Sequence, residues 1–237
     1  MKNIMLTFAL LLLTIAGFSQ KIDGAWQYKS GSTEYTLVFV DGYCSFSTFD
    51  LANKKFINTQ GGPYTVDKNS IKITWEYNAE KAGKDLDSWL GKTASFSYKL
   101  DANLVSNITG QEAKWQRVDE NKNALSGVWR ITGRQQGAEV QNMPLRERRT
   151  LKILSGTRFQ WAAINIKTGE FSGTGGGRYT FENGKYTEHI EFFSRDNSRV
   201  GSSLSFDAKV EKGNWIHSGL SSSGAAIYEV WSKLEKQ

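Results

Sequence analysis

The side chains best suited to acid–base, nucleophilic or metal chemistry are sparse in this sequence of 237 residues: two histidines, one cysteine and 24 Asp+Glu. His189 and His217 have no Ser or Cys partner at a recognisable spacing, and no Gly-Xaa-Ser-Xaa-Gly elbow is present. Cys44 stands alone, which removes a disulfide framework and a Cys-rich zinc site. No metal and no cofactor are expected. Gly173-Thr174-Gly175-Gly176-Gly177-Arg178 lacks the Gly-Lys-Ser/Thr ending of a phosphate loop, so it reads as a turn or bulge between strands.

The more specific signal is a carboxylate in the wrong place. In the run around 185–193, Tyr186, Glu188, Ile190 and Phe192 share one parity, and Thr187, His189 and Glu191 the other. Glu188 therefore belongs to the inward face. Glu229 shares parity with Trp231, and His217 with Trp215. An inward carboxylate is costly unless paired or hydrogen-bonded. One reading is an internal ion pair or hydrogen bond, with Arg158 or a tyrosine as partner. Another is a ligand-facing cluster of Trp161, Tyr179, Tyr186, Glu188, Trp215, His217 and Glu229. A third makes Glu188 and a histidine an acid–base pair.

These residues sit in the second half of a tandem repeat. Gly24-Ala25-Trp26 recurs as Gly127-Val128-Trp129, and Gly61-Gly62-Pro63-Tyr64 as Gly176-Gly177-Arg178-Tyr179. Trp115-Gln116-Arg117 likewise recurs as Trp231-Ser232-Lys233. The order of matches defines units 22–119 and 125–235, joined by Glu120–Ala124, and each is expected to fold alone. In the alignment Ile73 stands where the second unit has Glu188, and Ala113 where it has Glu229.

Each unit reads as eight short strands separated by turn signals such as Asp41-Gly42 and Asn183-Gly184. The expected fold is all-β, two antiparallel eight-stranded barrels. Two segments interrupt the pattern. Residues 78–91 place Ala82, Leu86, Trp89 and Leu90 at helical spacing, which predicts a short helix. Residues 133–148 lengthen the first connection of the second unit, as a surface loop or a lid over the barrel mouth.

The opening Gly-Xaa-Trp, the closing Trp-Xaa-basic, and the second unit's Arg158-Phe159-Gln160-Trp161, Gly175–Thr180 and Tyr186–Glu191 together resemble the lipocalin-like domain of uncharacterised secreted bacterial proteins. The second copy matches more closely. The resemblance implies a barrel whose base is closed by the opening tryptophan, with the late basic residue stacked on it. It carries no catalytic residues.

Met1–Ser19 has the basic start, apolar run and small residues at 17 and 19 of a cleavable secretory signal, so the mature protein is expected in the periplasm or outside the cell. No later segment is apolar enough to suggest a membrane span. Removing the signal takes Lys2 from the formal charge of +6, leaving +5. The densest basic cluster, Arg146, Arg148, Arg149 and Lys152, lacks a nucleic-acid module around it and reads as a solvated loop. Cys44 reads as a small buried hydrophobe. The favoured function is a non-enzymatic carrier of a small, partly apolar ligand in the second barrel. The alternatives are an envelope module with solid barrels contacting protein or glycan, and an acid–base enzyme.

Overall fold

In a computed structural model, residues 22–110, 112–221 and 223–235 are described. The expected signal segment and its cleavage point lie outside them. The chain folds into two closed antiparallel barrels of eight strands each. The first uses β1 (Gly24–Ser30), β2 (Thr33–Val40), β3 (Tyr43–Asp50), β4 (Lys55–Asp67), β5 (Ser70–Thr74), β7 (Thr93–Leu100), β8 (Leu104–Ser106) and β9 (Ala113–Asp119). The short β6 (Tyr77–Asn78) adds to β4, and β9 pairs back onto β1 to close the ring.

The second barrel repeats the plan with β10 (Gly127–Gln136), β12 (Arg148–Leu154), β13 (Arg158–Asn165), β14 (Phe171–Glu182), β15 (Lys185–Phe193), β16 (Ser203–Glu211), β17 (Asn214–Leu220) and β18 (Ala226–Lys233). β11 (Glu139–Asn142) forms a hairpin on the end of β10, and β10 closes against β18. No strand pairs across the linker among the described residues.

Tryptophans and a stacked cation close each barrel base. The Trp26 indole N–H donates to the Ile22 carbonyl and the Trp129 N–H to that of Leu125, each at 2.8 Å. The Arg117 guanidinium lies 4.1 Å from the Trp26 ring centre, and the Lys233 ammonium 4.5 Å from that of Trp129. The Gly-Gly steps follow from close strand approach. A Cβ at Gly62 would collide with the Thr74 carbonyl and one at Gly177 with that of His189, so a side chain is excluded where β4 and β14 bend.

The expected helix over 78–91 is reduced to one 3-10 turn, Leu86–Ser88. Gly83, Asp85 and Gly91 all adopt left-handed backbone angles, which a continuing α-helix cannot accommodate. Trp89 is nonetheless buried, because it and Leu86 pack over Gly169 of the second barrel. Strands β4 and β14 also begin earlier than their alternation shows, at Lys55 and Phe171, and β14 runs through Gly173 and Gly175–Gly177, which have weak strand propensity.

The two barrels pack through equivalent walls. Ala25, Val38, Val40, Tyr43 and Tyr77 meet Val128, Leu151, Ile153, Ala162 and Ile164 in one apolar cluster. At its centre Gln160 is 3% exposed and fully engaged. Its carbonyl accepts from the Ser45 and Ser47 hydroxyls, and its amide donates to Thr59 at 2.8 Å and Thr174 at 2.9 Å. Asp119, at the end of the first barrel, accepts from Ser155 and from the Gly156 and Thr157 backbone in the β12–β13 turn. In return Lys233 of the second barrel reaches Asp41 in the β2–β3 turn at 3.0 Å. Cys44 is fully buried, and burial pushes its thiol pKa up.

Candidate functional site

Strand pairing sets the two interiors side by side, residue for residue. In each copy the residue that pairs with the tryptophan of Gly-Xaa-Trp on the next strand points inward: Leu37 opposite Trp26 in the first barrel, Lys152 opposite Trp129 in the second. Tyr64 pairs with Ile73, and the equivalent Tyr179 with Glu188. Ser106 pairs with Ala113, and the equivalent His217 with Glu229. Four positions that are Leu37, Ile73, Ser106 and Ala113 in the first barrel thus become Lys152, Glu188, His217 and Glu229 in the second.

All four are buried and lie together. The Lys152 ammonium donates to Glu188 Oε1 at 2.8 Å, and the Tyr186 hydroxyl donates to the same oxygen at 2.9 Å. The ammonium also faces an aromatic cage, 4.8 Å from the Tyr186 ring centre, 4.9 Å from Trp215 and 5.4 Å from Trp231. Arg134, at the rim, donates to Glu229 Oε1 at 2.6 Å, and the Trp231 N–H donates to Oε2 at 3.1 Å.

His217 Nε2 stands 3.2 Å from Glu229 Oε2 but off the line of a hydrogen bond, and neither ring nitrogen has a hydrogen-bond partner among the described residues. Burial, then the Lys152 charge, lowers the His217 pKa against the pull of Glu229, so the ring is neutral at pH 7. Burial alone would raise the Glu229 pKa. The neighbouring His217, Lys152 and Arg134 outweigh it and hold the carboxyl down at about 2. Burial and the Glu188 charge push the Tyr186 phenol well up, which keeps it a neutral donor.

Above this polar floor the barrel opens into a cavity of about 210 Å³. Its walls are largely apolar: Trp161, Ile190, Phe193, Leu204, Phe206 and Ile227. The first barrel differs at the same end, where Tyr28, Tyr35, Phe46 and Trp115 pack with ring centres 5.4 to 6.5 Å apart.

Of the seven residues expected at the site, Trp161, Glu188, His217 and Glu229 line the cavity. Tyr186 reaches it through Glu188. Tyr179 and Trp215 do not line it. Tyr179 donates to the Ser155 carbonyl at 2.7 Å near the β12–β13 turn, and Trp215 is wholly buried under Lys152. Parity assigns a face but not a depth, and the packed base takes both. Of the two partners expected for Glu188, Arg158 or a tyrosine, the tyrosine is present as Tyr186, beside the unexpected Lys152, and Arg158 is not. Arg158 instead binds Glu191 at 2.6 Å on the outer wall.

Two further corrections come from local geometry. A bulge between Gly176 and Gly177 sets Ile190 and Phe192 opposite successive residues, so alternation reverses there. Phe192 consequently faces the other barrel, 5.0 Å from Phe49, and Phe193 lines the cavity. The basic cluster is not a solvated loop throughout. Arg149 and Lys152 are buried on β12, facing the barrel interface and the barrel interior respectively. Lys152 and Arg134 are the residues that sequence reasoning missed. Pairing β12 with β2 would have found Lys152 at the Leu37 position.

Among the described residues no three His, Cys, Asp or Glu side chains converge to hold a metal ion, and no helix is long and apolar enough to cross a membrane. Comparison with known proteins adds no assignment: no protein-family model matches the chain, and no curated protein matches it.

Proposed function

We propose that this is an exported binding protein whose second barrel holds a small, partly apolar molecule at its mouth, while the first barrel serves as scaffold. The observation that carries the reading is the asymmetry between copies. The first barrel fills its interior with Leu37, Ile73 and Ala113, whereas the second keeps Lys152, Glu188, His217 and Glu229 beneath an open cavity. Burying four polar groups lowers stability relative to an apolar core, so their clustering under the opening of one copy supports a role there.

The cavity is a shallow compartment rather than a through-barrel channel, because Trp129, Trp215, Trp231 and Tyr186 pack its base. An apolar cavity of roughly 150 Å³ is known to hold a benzene ring. The 210 Å³ here suits a single ring or a short branched chain. His217, whose ring nitrogens have no hydrogen-bond partner among the described residues, and Glu188, whose second oxygen lies outside the Lys152 and Tyr186 bonds, both line it.

Native mass spectrometry of protein purified from its own host should show a bound small molecule and a mass lacking Met1–Ser19. Ile227→Trp, which fills the mouth, should release that molecule and leave the far-ultraviolet circular dichroism spectrum unchanged, while the melting temperature falls to that of the ligand-free protein. Retention of the molecule in this variant would overturn the placement.

A further inference from the structure

The second barrel has an opening that the first lacks. In the first, β1 and β2 pair along their full length, from Gly24 with Phe39 to Ser30 with Thr33. In the second, β10 and β12 pair only from Gly127 with Leu154 to Arg130 with Leu151. Beyond Arg130, β10 turns to pair with β11, and the two strands separate. The cause is an insertion. Trp26 aligns with Trp129, 103 residues on, but Phe39 with Leu154, 115 residues on, a difference of 12 residues.

The inserted segment frames a chamber of about 480 Å³ beside the gap, lined by Arg130, Arg134, Arg146, Arg148 and Arg149 and by no acidic residue. Its frame is tied down at both ends. Arg130 donates to the Met143 carbonyl at 3.0 Å, the Met143 N–H to Thr132 at 2.8 Å, and Arg149 to the Arg146 carbonyl at 3.2 Å. Two of the five cations are partly neutralised, Arg134 by Glu229 and Arg149 by Glu76 at 3.7 Å. Arg146 and Arg148 are exposed and have no ion pair among the described residues. Arg146 and Arg148, without counter-charge and set on a braced frame beside three further arginines, form a site for an oxyanion.

This chamber and the mouth cavity share two lining residues, Arg134 and Thr150. The compartments therefore adjoin through the gap between β10 and β12. We propose that they form one site, whose ligand is a small ring-bearing organic anion. The apolar part lies against Trp161, Phe193 and Leu204, and the phosphate, sulfate or carboxylate group lies among Arg134, Arg146 and Arg148. The inference rests on the mouth cavity being a binding site, and it adds the charge of the ligand and the role of the insertion.

The test uses three probes on the full-length mature protein: benzyl phosphate, benzyl alcohol and inorganic phosphate, titrated by calorimetry. Benzyl phosphate should bind at least tenfold more tightly than either of the others. Arg146→Ser with Arg148→Ser should erase that advantage and leave benzyl alcohol unchanged; both side chains are exposed, so folding is preserved. Rising salt should weaken benzyl phosphate and inorganic phosphate and leave benzyl alcohol unchanged. If benzyl phosphate and benzyl alcohol bind equally, or the advantage survives the double variant, the oxyanion site is overturned and the mouth site stands. If inorganic phosphate binds as tightly as benzyl phosphate and benzyl alcohol does not bind, the joined site and the mouth reading both fall.

Discussion

Lys152 Nζ lies 2.8 Å from Glu188 Oε1 inside the second barrel, where the first barrel has Leu37 and Ile73 at the equivalent positions of one apolar core. The same fold thus supports an apolar pair and a buried ion pair at equivalent positions. Removing one partner of such a pair leaves an uncompensated charge, at a cost of about 3–5 kcal/mol. Lys152→Leu should therefore lower the melting temperature by on the order of 10 °C. The double variant Lys152→Leu/Glu188→Ile should recover most of that loss. Thermal melts of the three proteins check this, and a double variant no more stable than the single would contradict the equivalence of the two interiors.

The lowered pKa of His217 carries a pH dependence. Burial and the Lys152 charge keep the native ring from protonating, whereas the unfolded chain takes up a proton near the ordinary value of 6.5. Stability contributed by the neutral ring is complete above pH 6.5 and declines as the pH falls below it. His217→Gln should flatten denaturation midpoints between pH 6.5 and about 5. Below 4.5, Glu229 adds a second loss in the same direction, because its native pKa of about 2 lies under the ordinary one.

Gln160 should behave as a joint between the barrels. Gln160→Leu leaves the Ser45 and Ser47 hydroxyls buried without their acceptor, at roughly 1–3 kcal/mol for each orphaned group. A loss of at least 2 kcal/mol in urea unfolding, with unchanged far-ultraviolet circular dichroism, is expected. An unchanged midpoint would mean that the interface is not held together there.

Cutting the chain within Glu120–Ala124 tests the two-unit organisation. Each half retains a complete ring of eight strands, so each should keep a β-type circular dichroism spectrum. Each also exposes half of the apolar interface, together with Asp119 or Lys233. The halves mixed together should form a one-to-one complex by native mass spectrometry. Halves that stay monomeric when mixed would show the interface to depend on the covalent link.

The Arg117–Trp26 and Lys233–Trp129 stacks should be worth more than their exposure suggests. Arg117→Leu should cost about 1–2 kcal/mol, because the guanidinium covers the indole and also donates to the Asp23 carbonyl at 2.9 Å. Chemical denaturation of the single variant measures it.

Short-range pattern carried the architecture in this protein. Alternation and turn residues define strands, and recurrence of Gly-Xaa-Trp and Gly-Gly-Xaa-Tyr defines two copies, because each feature depends on neighbours within a few residues. Glu188 and Glu229 were legible for the same reason: parity is local, and an inward carboxylate stands out against Ile73 and Ala113. What parity cannot encode is depth along the barrel, which is why Tyr179 and Trp215 belong to the packed base rather than to the mouth. Nor can it anticipate the bulge at Gly176 and Gly177 that exchanges the faces of Phe192 and Phe193. Lys152 was hidden because β12 is buried on both sides, against the first barrel and inside the second, so its sequence shows no clean alternation. Only the tertiary structure decided that this lysine pairs with Glu188. Only it showed that a 12-residue insertion opens the wall beside them, because strand separation is settled by where β10 finds its next partner.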